Sequence, residues 1–122
     1  MMPSVQATLA QFLTAFAQLQ LDAMLSHFAE EATAFFPVEH QRLRLNGKAA
    51  IRDAFAQVLA RVRATGASGL RLDAADVHVQ DFGALAVVTL HLPGEHLSRR
   101  TFVLQRSAGR WLIVHFHGSN AR

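Results

Sequence analysis

Three histidines in this chain of 122 residues are spaced so that they could act together at a functional site. His115 and His117 are two residues apart, so in a β-strand both would lie on one face, and His91 belongs to a neighbouring predicted strand. Imidazoles at this spacing can bind a metal ion or exchange protons near neutral pH. No carboxylate is matched to the pair, so we predict no metal site. An acid–base role and a structural or ligand-contacting role both stay open.

Arg52 is a candidate for holding an anion. It follows Ile51 near the start of a predicted helix, where the guanidinium and the helix N-terminus can act together. An ion pair with Asp53 or another surface acid explains this arginine equally well. Aromatic side chains would line the rest of a pocket for a small, apolar-bodied anion, although a single inward Trp is more often core. The predicted ligand-binding residues are Arg52, His91, His115, His117, Trp111 and Phe36.

Three segments in the first half of the chain have helical periodicity. Residues 4–20 predict an amphipathic helix with Ser4 as its N-cap, and Asp22 is a plausible cap for a short second helix. The third helix is predicted to begin after residues 46–47 and to break at residues 65–69. The apolar faces are Val5, Leu9, Phe12, Leu13, Phe16 and Leu19 for the first helix, Met24, Leu25 and Phe28 for the second, and Ile51, Phe55, Val58, Leu59 and Val62 for the third.

The remaining segments have strand character. Helices followed by a run of antiparallel strands with short turns predict an α+β fold, with three N-terminal helices packed on a curved, mostly antiparallel sheet. We expect residues 1–122 to form one such domain. The predicted strands are residues 32–36, 70–80, 84–92, 97–106 and 110–118.

The last predicted strand is apolar on both faces, which favours self-association. One face can pack against the helices, but the other needs a cover, and a second copy of the chain is the simplest one. In a regular strand Trp111, Ile113, His115 and His117 would share one face, and Leu112, Val114 and Phe116 the other. We predict a homodimer through the outer sheet face, formed by Leu112, Val114, Phe116 and one face of residues 84–92.

Composition excludes several classes of function. The apolar fraction of 51% and the charged fraction of 17% indicate a folded domain. The absence of cysteine excludes disulfides, thiolate catalysis and cysteine-based zinc sites. No segment has the length and apolarity of a membrane span, and no secretory signal is recognisable, so we expect a soluble, cytoplasmic protein without membrane contact. We predict no cofactor.

The basic residues do not predict nucleic-acid binding. The formal charge is +3, and nucleic-acid proteins generally need a clustered basic footprint. In this chain the basic residues are scattered, mostly in short pairs. The pairs are Arg42/Arg44, Arg61/Arg63 and Arg99/Arg100.

Three stretches resemble the nuclear transport factor 2-like superfamily. Residues 28–37 (FAEEATAFFP) and 46–52 (NGKAAIR) are similar to the first strand and third-helix start of ketosteroid isomerase-like and SnoaL-like proteins. Residues 76–79 (DVHV) precede a matching turn. Residues 109–119 (GRWLIVHFHGS) closely resemble the last strand of the calcium/calmodulin-dependent protein kinase II association domain and its SnoaL-like relatives. The resemblance covers nearly the whole chain and implies a cone in which a curved sheet wraps around helices to form a pocket.

The resemblance also identifies what a ketosteroid isomerase would need. It implies a carboxylate base at the position of Phe36, a tyrosine donor at Phe12, and a carboxylic acid donor near Thr101 or Phe102. The isomerase reaction needs a base to move a proton and donors to hold the enolate. Because none of these groups is present, we predict no isomerase activity.

Two classes of function remain. In the kinase association domains the equivalent pocket holds arginines; the resemblance matches one of them to Arg52 and replaces the others by His91 and Phe102. The first class is a small-molecule pocket, and whether it is catalytic stays open. The second is an association module whose product is the oligomer. Convergent polar groups in the pocket would favour the first class, and Arg52 and the histidines are the residues that support it. A pocket plugged by Phe36, Phe102 and Trp111 would favour the second class.

Overall fold

The computed structural model describes residues 3–121 and has the predicted α+β fold. These residues form three helices and six strands, and four of the strands follow the last helix. They are α1 (Val5–Ala17), α2 (Leu21–Leu25), β1 (Phe28–Phe35), β2 (Leu45–Asn46), α3 (Lys48–Ala64), β3 (Ala75–Asp81), β4 (Leu85–Leu92), β5 (Leu97–Ser107) and β6 (Arg110–Ala121).

The six strands form one sheet in the order β2-β1-β6-β5-β4-β3. Every neighbouring pair is antiparallel except β1 and β6, which run parallel. The strand register shifts in the β1–β6, β3–β4 and β5–β6 pairs. Because such bulges bend strands and increase their twist, the sheet curves around the helices as the predicted cone. The face towards the helices is called the inner face below, and the opposite one the outer face.

Helix α1 begins where the sequence predicts. The side chain of Ser4 accepts a hydrogen bond from the backbone N–H of Ala7 at 3.0 Å, which satisfies one of the free donors at the helix N-terminus. The predicted apolar face is buried at Val5, Leu9 and Phe12. The helix therefore packs its apolar stripe into the sheet.

Helix α2 differs from the prediction at both ends. Its N-cap is Gln20, which makes no side-chain capping bond, whereas Asp22 lies in the first turn. Phe28 was predicted on the inner face of α2 but begins β1 instead, four residues earlier than the predicted strand. Phe28 is nevertheless buried, because the first residue of β1 points into the core.

The N-cap of helix α3 is Gly47, which has a φ of +94°. Gly47 donates its backbone N–H to the carbonyl of Ala32 at 2.7 Å. A positive φ is readily adopted by glycine, so this residue lets the chain turn from the sheet into the helix. Ile51, Phe55 and Leu59 are buried on the inner side of α3, as their spacing predicts.

The segment between α3 and β3 is a loop for longer than predicted. Residues 70–80 were expected to form a strand, but only Ala75–Asp81 does. The backbone N–H of Leu70 donates to the carbonyl of Ala17 at 2.8 Å, so this part of the chain is bonded to the end of α1 and not to the sheet. No helix in residues 3–121 has the length and apolarity needed to cross a membrane.

A β-bulge in β6 reverses the facing of its second half. Val103 of β5 pairs with His115 and the next residue, Leu104, pairs with Ile113, so Val114 is an additional residue in β6. One inserted residue exchanges the two faces for every side chain that follows it. The prediction that His115 and His117 share a face with Trp111 and Ile113 is therefore wrong, as is the outer placement of Phe116. Phe116 is buried on the inner face, and the two histidines lie on the outer face.

Candidate functional site

The inner face of the cone is filled by aromatic side chains. Phe36 lies 4.6 Å from Phe55 between ring centroids, Phe102 lies 5.0 Å from Phe116, and Phe12 packs against several of these rings. These separations are those of well-packed aromatic pairs. The rings belong to the single hydrophobic core, and we call this group the aromatic cluster. Its members are Phe12, Phe28, Phe36, Phe55, Phe102 and Phe116.

Two of the predicted ligand contacts are part of this core. Trp111 and Phe36 are only 3% and 7% exposed. The guanidinium carbon of Arg106 lies 5.2 Å from the centre of the Trp111 ring, so Arg106 covers the indole close to the turn between β5 and β6. Phe36 also borders a cleft at the wide end of the cone. The pattern that would favour an association module, with Phe36, Phe102 and Trp111 all plugging the interior, is present.

His115 and His117 form a small cluster on the outer face. His115 Nδ1 lies 2.8 Å from the hydroxyl of Thr33, and the ring of Phe35 lies 5.9 Å from His115 and 5.3 Å from His117. Burial lowers the pKa of His115, and the charges of His117 and Arg44 lower it further, against a hydrogen bond with Thr33 that raises it. His115 is therefore held towards its neutral form.

His91 does not join this pair. It lies on the outer face of β4, two strands away from β6, and its Nδ1 is 3.9 Å from a carboxylate oxygen of Asp76. Within residues 3–121 no group of three or more His, Asp or Glu side chains lies close enough together to hold a metal ion. His91 is thus separated from His115 and His117, and all three lie outside the aromatic interior.

Arg52 points away from the cone interior. Its guanidinium forms an ion pair with Asp22 of α2, and its side chain is 47% exposed. The alternative predicted from sequence was an ion pair with Asp53 or another surface acid, and the partner is the surface residue Asp22 because α2 and α3 pack side by side. The predicted placement of Arg52 in a pocket is wrong. The six predicted ligand contacts do not converge on one cavity, and a ligand-binding role for any of them stays a prediction.

Arg100 is a residue that the sequence analysis did not identify. It lies on the inner face of β5 between Leu90 of β4 and Gly118 of β6. Its guanidinium carbon is 5.8 Å from the centre of the Phe116 ring, and its Nη1 is buried without a hydrogen-bond partner among the described residues. Burial lowers the pKa of Arg100 to about 10. The alternation with the apolar residues 102 and 104 was the signal that could have placed it inside.

A cleft of about 400 Å³ opens at the same end of the cone. It lies between the end of β1, the loop at residues 37–42 and the end of β6. Two of its walls, Pro37 and Gly118, also adjoin the Arg100 guanidinium. The cleft is lined by Phe35, Phe36, Pro37, Val38, Glu39, Gln41, Arg42, Gly118, Ser119 and Asn120.

A second, larger groove of about 610 Å³ lies on the opposite side, along α1. Several polar residues line it together with alanines of α1 and α2, among them Gln11, Gln18, Gln20, His27 and Arg110. Burial lowers the pKa of His27, and the positive charge of Arg110 lowers it further. Arg110 donates to the carbonyl of Ser26, so its guanidinium is already engaged.

Comparison with protein families gives a match over residues 5–122 to the model of the SnoaL-like domain. The chain belongs to the SnoaL-like domain family. The match includes every helix and strand of the cone, together with Arg100 and the aromatic cluster. Comparison with curated proteins gave no match.

Solved structures confirm the fold of this SnoaL-like domain. A nuclear transport factor 2-like protein of unknown function from Pseudomonas putida has a TM-score of 0.82 at 20% identity, over 94% of this chain and 82% of that one. A protein described as a calcium/calmodulin-dependent protein kinase type II association domain, from Thiobacillus denitrificans, has a TM-score of 0.79 at 23% identity, over 99% and 98%. A ketosteroid isomerase-like protein from Erwinia carotovora has a TM-score of 0.79 at 18% identity, over 97% and 94%.

The SnoaL-like domain has apolar groups where the resemblance implies the isomerase machinery. Phe36 and Phe12 stand at two of those positions, and the third falls at Phe102 or at Thr101. The three phenylalanines are buried in the aromatic cluster, and Thr101 lies on the outer face beside His117. A phenyl ring can neither accept the proton of a substrate nor donate a hydrogen bond to an enolate oxygen. The inner face can therefore exclude water but offers none of these groups for that chemistry.

Proposed function

We propose that this SnoaL-like domain is an association module that forms a homodimer through the outer face of its sheet. The observation that supports this most directly is the contrast between the two faces. The inner face is filled by the aromatic cluster, whereas the middle of the outer face is uncharged and has no cover from the described chain. Antiparallel sheets commonly leave one face solvated, so it is the lack of charge on this face, together with its valine and leucine side chains, that favours a cover by a second chain.

The strand pairing defines the surface concerned. Leu85 is level with Gln105 and Leu112, Val87 with Val103 and His115, and Thr89 with Thr101 and His117 across β4, β5 and β6. We call the middle of this surface the central outer patch. It consists of Val87, Thr89, Thr101 and Val103, all partly buried.

The patch corrects the interface predicted from sequence. Leu112 and Val114 remain in the proposed interface, beside the central outer patch. Phe116 is excluded from the interface because it packs inside the cone. The similarity to an association-domain protein from Thiobacillus denitrificans is in keeping with the proposal. A stable interface of ordinary size would cover about 800 Å² on each partner, which is within reach of a face made by four strands.

Light scattering at micromolar concentration tests the proposal. The unaltered protein should have twice the mass of one chain. Val103→Glu should give a single chain mass, because it places a carboxylate against its own symmetry mate in the middle of the contact. Leu43→Glu is the matched control, since Leu43 is 83% exposed in the loop before β2 and is not part of the central outer patch, and it should stay dimeric. A monomeric unaltered protein, or dissociation in Leu43→Glu alone, would contradict the proposal.

A small-molecule pocket is the second candidate function, and one observation favours it. Arg100 presents a buried guanidinium beside an open cleft at the wide end of the cone. A pocket there would be compatible with the dimer, because the cleft is at the end of the sheet and the central outer patch is on its face. Catalysis in such a pocket has no group assigned to it.

A further inference from the structure

The inner face changes character towards the wide end of the cone. Where β4, β5 and β6 pass the aromatic cluster, the next inward row is Leu90, Arg100 and Gly118, and the row after it is Leu92, Ser98 and the exposed Asn120. Polar side chains on β5 and β6 thus follow directly after a wholly apolar region on the same concave surface, beside apolar residues of β4. A concave surface with an apolar floor and a few converging polar groups is the usual form of a small-molecule site.

Two buried polar atoms in these rows have no partner. They are Nη1 of Arg100 and the hydroxyl oxygen of Ser98, which lie two residues apart on the same face of β5. Ser98 is only 9% exposed, and no carboxylate in residues 3–121 forms an ion pair with Arg100. Most buried polar groups in folded proteins are paired, so two adjacent unpaired ones point to a ligand that is missing.

Gly118 makes the space that the guanidinium occupies. A methyl group in place of its hydrogen would lie 2.7 Å from Nη1 of Arg100 and 3.0 Å from a ring carbon of Pro37. Any other residue would therefore displace one of them. Gly118 and Pro37 also line the cleft of about 400 Å³, so the guanidinium lies directly behind its wall.

We propose that Arg100 and Ser98 bind the carboxylate of a small monocarboxylic acid that enters through this cleft with its apolar body against Phe36 and Pro37. A guanidinium donates two parallel hydrogen bonds that match the two oxygens of a carboxylate, and the serine hydroxyl adds a third donor. The proposal does not depend on the homodimer.

The charges around the cleft select for a single negative charge. Arg42 and Glu39 both line the cleft and both are exposed, so they largely offset each other at the entrance. Arg100, with its buried Nη1, is then the charge beside the cleft that is left without a counterion among the described residues, and a monocarboxylate neutralises it. A phosphate dianion would keep one uncompensated charge in an apolar surrounding, and such a charge is costly to bury.

Titration by NMR chemical shifts tests the assignment with three probes: butanoate, its neutral analogue butanamide, and inorganic phosphate. Butanoate should bind with a saturable, millimolar or tighter dissociation constant, and butanamide and phosphate should bind at least about tenfold more weakly. Arg100→Met keeps the side-chain length without the charge and should weaken butanoate binding by roughly ten- to a hundredfold. Arg99→Met, one residue away on the outer face, is the matched control and should bind as the unaltered protein does.

A second variant covers the case in which Arg100→Met does not fold. Ser98→Ala removes only the hydroxyl oxygen and should weaken butanoate binding several-fold while the butanamide signal is unchanged. The proposal is overturned if butanoate gives no saturable shift, or if phosphate or butanamide binds with the same affinity as butanoate. It is also overturned if Arg100→Met binds butanoate with the affinity of the unaltered protein. Should Arg100→Met not fold, the same result with Ser98→Ala overturns it.

Discussion

Adjacent residues of one strand can have opposite electrostatic surroundings, as Arg99 and Arg100 do. Arg99 is exposed on the outer face, whereas Arg100 is packed on Phe116 with its pKa lowered by burial. An unpaired buried charge lowers the free energy of unfolding of the free protein. A bound anion would pair with the charge and raise that free energy again. Arg100 is therefore better explained as a residue that contacts an anion, as proposed above, than as part of the core.

At the same scale, His117 should control the protonation of His115. Because burial and the neighbouring charge disfavour His115 in its charged form, its pKa is below the ordinary value near 6.5. A lowered histidine pKa means that stability is full above about pH 6.5 and decreases as the pH falls below that value. Replacing His117 by Gln removes one of the repelling charges and should raise the pKa of His115, measured by NMR titration of the imidazole protons.

The control for this titration is His78→Gln. His78 is exposed on β3 and makes no contact with the pair, so its removal should leave the pKa of His115 where it is. An unchanged or lower pKa of His115 in His117→Gln would show that the two imidazoles do not interact.

At the scale of elements, the sequence predicts what is periodic and misses what interrupts the period. The apolar faces of α1 and α3 were predictable because helical spacing continues over several turns. The bulge at Val114 was not, since neither a glycine nor a proline marks it and the flanking residues alternate as in a regular strand. That one residue decides whether His115, Phe116 and His117 face the core or the solvent, and for this reason two of the six predicted site residues, His115 and His117, were placed on the wrong face.

The loop between α3 and β3 gives a prediction about close packing. A β-carbon on Gly69 would lie 2.8 Å from the carbonyl oxygen of Ala17, the same oxygen that bonds the backbone of Leu70. Gly69→Ala should therefore push the loop away from α1 and lower the free energy of unfolding by about 1–2 kcal/mol in urea. In Gly94→Ala the new carbon would be 3.7 Å from its nearest neighbour, an ordinary contact, so this control should stay within about 0.5 kcal/mol. Equal stabilities of the two variants would contradict the packing.

At the scale of the whole molecule, the cone was predictable and the contents of the cone were not. The order of helices and strands, together with the motif at residues 109–119, was enough to indicate the fold. Whether an inner face is empty or filled depends on how side chains from distant elements meet. Phe12, Phe55 and Phe102 come from three such elements, and each alone is an ordinary core residue. Arg52 shows the same limit, since its partner Asp22 comes from another helix.

If the protein associates through its outer face, thermal stability must depend on its concentration. Unfolding of a dimer releases two chains, so each tenfold rise in concentration stabilises the folded dimer by about 1.4 kcal/mol. The melting temperature of the unaltered protein should therefore rise by several degrees between about 1 and 100 µM. In Val103→Glu, which we expect to be monomeric, it should not change over that range. A melting temperature of the unaltered protein that is independent of concentration would mean that the central outer patch is solvated in the folded state, and the stability of the cone would then rest on its aromatic interior alone.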